Sequence, residues 1–217
     1  GFRVLCLAAR ELPGDPGKVD PDRMDREMLE NDLEFCGLLV LRNSIKPNTS
    51  STIRQLRRSY HRCVMITGDH PLTACQVATN VSLADGRFLI LEPAASSQGA
   101  ASHEAEGLHA LEWRSRDDPT LKPLPFSTGK ALFDLSKSHT LCVPGWSLAK
   151  LTEAEVFEVA EAAVVFARVS PQQKEQVVQA MNRHSHTMMV GDGTNDVGAL
   201  KHAHVGVSLL TSTAPVV

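Results

Sequence analysis

The 217 residues carry a net charge of −3, with 42% apolar and 22% charged side chains. That is long enough to bury a sizeable core and too apolar for a disordered chain. The balance gives no reason to expect nucleic acid or an acidic membrane surface as partner, and no apolar run approaches the ~20 residues that span a bilayer.

Gly1 to Leu12 reads as a strand and polar turn, with Val4-Leu5-Cys6-Leu7 between Arg3 and Arg10 being strand-like rather than a cleavable leader. Pro13 to Asp25, rich in Pro, Gly and charge, is expected as a loop, and Met24 to Asn31 as a short helix. Phe35 to Leu41 is nearly all apolar, as in a strand buried on both faces of a parallel sheet. Ser50 to His61 has Ile53, Leu56 and Tyr60 on one helical face, with Arg54, Arg57, Arg58 and Arg62 as the wet face. Then come a strand over Val64 to Thr67 and a helix over Pro71 to Thr79, with proline in its first turn. Gly86 to Leu91 and Thr140 to Val143 look like strands, whereas Glu92 to Gly107, dominated by Ala, Ser, Gly and Glu, reads as a mobile surface excursion with no core of its own.

The last third repeats the pattern. Ala163 to Ala167 is a strand, Ser170 an N-cap, Pro171 the first helical position, and the helix runs to about Arg183. Thr187 to Val190 is a strand, Asn195 to Ala203 a helix and Val205 to Leu209 a last strand. Strands alternating with short helices predict an α/β fold, a doubly wound parallel sheet flanked by helices. The five cysteines form no Cys-x-x-Cys pair and read as reduced and structural, which points to cytosolic exposure.

Three segments place polar residues just beyond a strand's carboxyl end, the edge where ligands bind in open α/β sheets. After the first strand stand Thr67-Gly68-Asp69, a hydroxyl donor beside a glycine that lets a ligand approach. After the second, Arg168 precedes a helix from which Lys174 can reach back as a fixed cation. After the third comes Gly191-Asp192-Gly193-Thr194-Asn195-Asp196. A Thr-Gly-Asp triplet alone is most often a plain turn, and a lone first-turn lysine is normally solvated. Two carboxylates, an Asn and two Gly in six residues at a strand end are far harder to read as structure alone. Magnesium takes one or two such carboxylates plus phosphate oxygens, so the joint pattern points to phosphoryl transfer.

Other patterns are weaker. Phe126-Ser127-Thr128-Gly129-Lys130 lacks the glycine spacing of a phosphate-binding loop. His184-Ser185-His186 and His202-Ala203-His204 are expected as solvated helix-end histidines rather than zinc ligands.

Met65 to Ala74, Phe166 to Lys174 and Gly191 to Ala203 together resemble the phosphorylation domain of P-type ATPases, a member of the haloacid-dehalogenase-like superfamily. Gly193 to Ala203 is most similar to the fifth subfamily, branch A, endoplasmic-reticulum enzymes regarded as transmembrane-helix dislocases and earlier described as cation transporters. The resemblance implies ATP and Mg2+ as ligands. It implies catalytic roles for Thr67, Lys174 and Asp196, nucleotide contacts for Gly68, Asp69, Arg168 and Asn195, and metal ligation by Asp192 and Asp196. It also implies an organisation: 1–34 as the end of a nucleotide-binding domain and hinge, 35–91 and 139–210 as two parts of the phosphorylation domain, 92–138 as a flexible insertion and 211–217 as a truncated tail.

The family's nucleophile lies in Asp-Lys-Thr-Gly-Thr, and no Asp of this chain is followed by Lys. Asp20-Pro21-Asp22 offers a superficial Asp-x-Asp, but turn-like residues precede it. Asn43 and Gly145-Trp146 also depart from the family pattern. The expectation is therefore a haloacid-dehalogenase-like sheet without its nucleophile strand: a fragment of an ATP-driven transporter or dislocase, inactive alone. Its partners would be ATP and the absent nucleophile strand, actuator and membrane domains, with no nucleic acid. The transported substrate would be a transmembrane polypeptide segment or a cation, at the endoplasmic reticulum membrane with this domain facing the cytosol. The alternatives are a free-standing phosphatase of the same superfamily, or a non-catalytic truncated product that binds a partner.

Overall fold

The structure is a computed structural model that describes residues 3–11, 25–41, 44–94, 111–118 and 120–209. Most of the loop from Pro13, Asp20-Pro21-Asp22, Asn43, most of the Glu92–Gly107 excursion and the 211–217 tail lie outside them. The chain divides into two compact units, Gly1–Ile45 and Lys46–Val217.

In the first unit β1 (Arg3–Ala9) pairs antiparallel with β2 (Glu34–Leu41), from Arg3 opposite Leu41 to Ala9 opposite Glu34. Between them lies α1 (Arg26–Glu30), capped by the Asp25 side chain, which accepts from the Glu27 amide. The parallel, doubly buried strand expected at Phe35–Leu41 is thus an antiparallel partner of β1. Phe35, Leu38 and Val40 are 63%, 61% and 54% exposed. Apolarity gave the strand; it carries no information about what covers it. β2 pairs back onto β1 within the first compact unit.

The second unit holds α2 (Thr49–Arg58), β3 (Met65–Ile66), α3 (Pro71–Asn80), β4 (Phe88–Pro93), β5 (Leu111–Ser115), β6 (Leu124–Pro125), α4 (Lys130–Ser138) and β7 (Thr140–Pro144). It continues with α5 (Gly145–Leu148), α6 (Glu153–Ala162), β8 (Val165–Ala167), α7 (Pro171–Asn182), β9 (Met188–Gly191), α8 (Val197–His202) and β10 (Val205–Ser208). Six strands form one sheet in the order β3-β8-β7-β4-β5-β6. The first four run parallel; β5 and β6 close one side antiparallel. This is the α/β, mostly parallel architecture that the alternation predicts.

Both faces of the central strands are buried, with period two. On one side Leu89, Leu91, Leu141, Val143 and Phe166 meet Val156 and Val159 of α6 and Val177 of α7. On the other, Phe88, Ile90, Cys142, Val165 and Ala167 meet Ala74, Cys75 and Ala78 of α3. At about 25 cal/mol per Å2 of apolar area, this double-sided core is the chief stabilising term. The described part of the expected insertion 92–138 belongs to it: Leu111, Trp113 and Leu132 are buried, and β5 and β6 extend the sheet. Alternating Leu111 and Trp113 carried that signal in a segment whose flanking composition hid it.

β9 and β10 form a separate, parallel two-stranded sheet, with Val205 opposite Met188 and Ser208 opposite Gly191. α8 packs on both strands and on α7. Met188, Val190 and Val205 stay 59%, 48% and 53% exposed.

Two smaller expectations change. Tyr60 falls past the end of α2 with φ 61° and is fully exposed, so it is not part of the helix's apolar face. Arg54, Arg57 and Arg58 form the exposed face of α2 as expected, and Arg62, past the helix end and also exposed, donates to Ala160 O and Ala163 O, capping the end of α6. All five cysteines are unpaired, but only Cys75 and Cys142 are buried. No described helix is long and apolar enough to cross a membrane.

Candidate functional site

Thr67 continues the parallel ladder one residue beyond β3, its amide donating to Phe166 O at 2.9 Å. Its hydroxyl oxygen accepts from the Asp69 amide at 3.1 Å, which curls the chain into a tight turn. Gly68 is exposed, and a Cβ there would meet nothing within 4 Å. The chain itself does not demand glycine at that point; the room above the strand end is free for a ligand.

The end of β8 is stitched to this turn. The Arg168 amide donates to Asp69 O at 2.9 Å and the Val169 amide to Thr67 O at 3.3 Å. Both bonds need a sharp reversal, and Arg168 makes it with φ 52°, a left-handed conformation that costs a non-glycine residue of order 1 kcal/mol. Ser170 then caps α7: its hydroxyl accepts from the Gln173 amide while the Gln173 side chain accepts from the Ser170 amide. Pro171 sits in the first turn, where its missing N–H costs nothing.

Lys174 Nζ reaches Asp196 Oδ1 at 2.7 Å, with side chains only 12% and 9% exposed. Asp196 lies in a 3-10 turn, Thr194–Asp196, that follows β9 and leads into α8. Gly191, the last residue of β9, must lack a side chain, because a Cβ would fall 2.6 Å from Asp196 Cβ. A buried charge left without its partner is destabilising by about 3–5 kcal/mol, so each member of the pair holds the other in place. Asp192 and Asn195 are exposed beside it.

The eight residues singled out in the sequence therefore fall into two groups. Thr67, Gly68, Asp69 and Arg168 share one hydrogen-bonded turn pair beyond β3 and β8; Lys174 and Asp196 form an ion pair that Asp192 and Asn195 flank beyond β9. No hydrogen bond or ion pair among the described residues joins the groups side chain to side chain. The link is covalent, through Val169 and Ser170 into α7. What the sequence reading missed is Gln173, whose Nε2 also donates to Gly145 O at 2.7 Å. The Ser-x-x-Gln spacing signalled the cap; nothing local signalled Gly145.

The donors at the end of β9 are all oxygens. One exposed carboxylate, one amide oxygen and the second carboxylate suit a hard cation completed by phosphate oxygens and water. Among the described residues no group of three or more His, Cys, Asp or Glu could hold a metal unaided. The four histidines of the two His-x-His pairs are exposed: His184 faces Glu161, His202 faces Glu175, and the His186 and His204 rings meet edge to face at 4.9 Å. Trp146 donates to Glu92 Oε2 at 3.2 Å and lies outside both groups.

Residues 145–204, which hold Arg168, Lys174 and all of the β9 turn, match the model of the haloacid dehalogenase-like hydrolases. The chain is 39% identical over 216 residues to an endoplasmic reticulum transmembrane helix translocase of Schizosaccharomyces pombe, covering 98% of this chain and 17% of that protein. It is 40% identical over 217 residues to a probable manganese-transporting ATPase of Arabidopsis thaliana, covering 99% and 17%. It is 34% identical over 227 residues to a polyamine-transporting ATPase of Homo sapiens, covering 100% and 19%. The chain thus spans less than a fifth of the length of these relatives.

Proposed function

We propose, on the premise that this chain belongs to the P-type ATPase family of its homologues, that it is the magnesium- and phosphoryl-handling part of such an enzyme's phosphorylation domain. The observation that carries the reading is the buried Lys174–Asp196 pair at the end of β9. Asp192, with Asn195 and Asp196, would hold Mg2+, which when bound offsets negative charge on the phosphoryl oxygens. Thr67, its oxygen already engaged by the Asp69 amide, keeps its hydroxyl proton to donate to a phosphoryl oxygen. Lys174 presents a fixed positive charge whose orientation is set before any ligand arrives. Gly68, Asp69, Arg168 and Asn195 would line the path of the ATP phosphates and ribose.

The nucleophilic aspartate, in this reading, comes from one further parallel strand between β3 and β9. Two observations support it. β3 ends the six-stranded sheet, and β9–β10 stands as a separate pair with apolar residues uncovered. A lone two-stranded sheet is a marginal unit in water. By itself the chain would then turn over no phosphate ester. In the whole protein ATP would phosphorylate that aspartate, water would hydrolyse the acyl phosphate, and the two states would move a transmembrane polypeptide segment or a cation across the endoplasmic reticulum membrane, this domain facing the cytosol.

In the whole protein ATP should yield a hydroxylamine-sensitive phosphoenzyme that Lys174→Ala or Asp196→Asn abolishes. Undiminished phosphoenzyme in both variants overturns the reading. Magnesium-dependent hydrolysis of an aryl phosphate by the 217-residue chain alone would favour a free-standing phosphatase instead.

A further inference from the structure

We infer that Gln173 is a positioning residue that sets Lys174 for the phosphoryl group, an inference that rests on the function proposed above. A capping box needs only an acceptor at its fourth position, and glutamate serves as well as glutamine. Gln173 Oε1 does that work, accepting from the Ser170 amide at 2.9 Å. Its amide donor is surplus to capping and goes elsewhere, to Gly145 O at 2.7 Å. One orientation of the side-chain amide satisfies both partners, since a carbonyl cannot donate and an N–H cannot accept.

Gly145 follows the end of β7 and is buried. It has no room for a side chain: a Cβ would collide with the Arg168 carbonyl oxygen and fall 2.7 Å from Gln173 Oε1. The first turn of α7 is therefore pinned to the ends of two neighbouring strands, β7 through this amide and β8 through Arg168. Lys174 is the next residue. Its amide closes the same turn on Ser170 O at 2.9 Å, and its ammonium crosses to Asp196 beyond β9. Gln173 is thus the bond by which the ends of the six-stranded sheet fix the cation that meets β9.

Two variants of the 217-residue chain separate the roles. Gln173→Glu keeps the capping acceptor and removes the donor to Gly145; Gln173→Ala removes both. The first readout is the Lys174 15Nζ ammonium signal, which persists when its protons are held in an ion pair and which Lys174→Arg assigns. The second is binding of inorganic phosphate with magnesium, and the third is Tm. Gln173→Glu should broaden the Lys174 signal and weaken phosphate binding about tenfold, the scale of one lost hydrogen bond, while Tm falls by about 3–6 °C, less than in Gln173→Ala. An unchanged Lys174 signal in both variants overturns the inference. So does a Tm for Gln173→Glu as low as that of Gln173→Ala, which would make the residue a helix cap and nothing more. The ammonium signal needs no ligand, so the positioning role is decided even where the parent chain binds no phosphate, and the proposed function is decided separately by the phosphoenzyme of the whole protein.

Discussion

Leu141-Cys142-Val143 and Met188-Met189-Val190 are alike as sequence, three apolar residues heading into a turn at a parallel strand's end. In the fold they are opposites. The first, in β7, has strands on both sides and helices over both faces, and its three residues are at most 1% exposed. The second, in β9, has one strand neighbour, and Met188 and Val190 are about half uncovered. Strand formation is local, but burial is conferred by neighbours, so similar segments contribute very different amounts of stability. The polar residues after each strand inherit that difference.

The sharpest way to break this comparison is paired truncation. Val143→Ala, at a fully buried position of β7, should destabilise the chain by about 1–3 kcal/mol, and Val190→Ala in β9 by well under ~1 kcal/mol, in urea unfolding. Equal losses would mean that β9 is covered after all. Gly191→Ala should come next. The added Cβ would sit 2.6 Å from Asp196 Cβ and cost about 1–3 kcal/mol by overpacking, and it should also displace the Lys174 ammonium signal. A stable Gly191→Ala chain with that signal intact would show that the β9 turn is looser than described.

A smaller effect concerns the buried side alone. The hydrogen bond with Cys75, and then burial, hold the Cys142 thiol well above its ordinary range. A raised folded value means that the neutral thiol is favoured in the fold. The stability this contributes is complete below the unfolded value near 9.0 and is lost as pH rises beyond it. The urea midpoint should therefore fall above about pH 9, and Cys142→Ala should flatten that slope.

Much of the fold was legible because its signals are local. The Ser170–Pro171 start of α7, the proline in the first turn of α3 and the apolar runs at β4, β7, β8 and β9 all formed where expected. The errors arose where a partner decides. Phe35–Leu41 looks like a buried parallel strand because nothing in it says that it returns to pair with β1. The run 92–138 looks like a flexible insertion because its Ala-, Ser- and Gly-rich first part masks the strand pattern at Leu111 and Trp113. At the candidate site, the residue types at three strand ends were legible from spacing. The Lys174–Asp196 bond and the Gln173–Gly145 tether were not, since each spans more than 20 positions and depends on how α7 crosses two strand ends.

One edge of the main sheet is closed to further pairing. β6 is two residues long, its outer position is Pro125, and Pro123 precedes it, so the row of amides that a newcomer would need is interrupted. β3, at the far side, has no such guard. A further strand of the kind proposed above would therefore add beside Met65 and Ile66, directly under the Thr67 turn, so that lengthening the sheet and furnishing its ligand rim would be a single event.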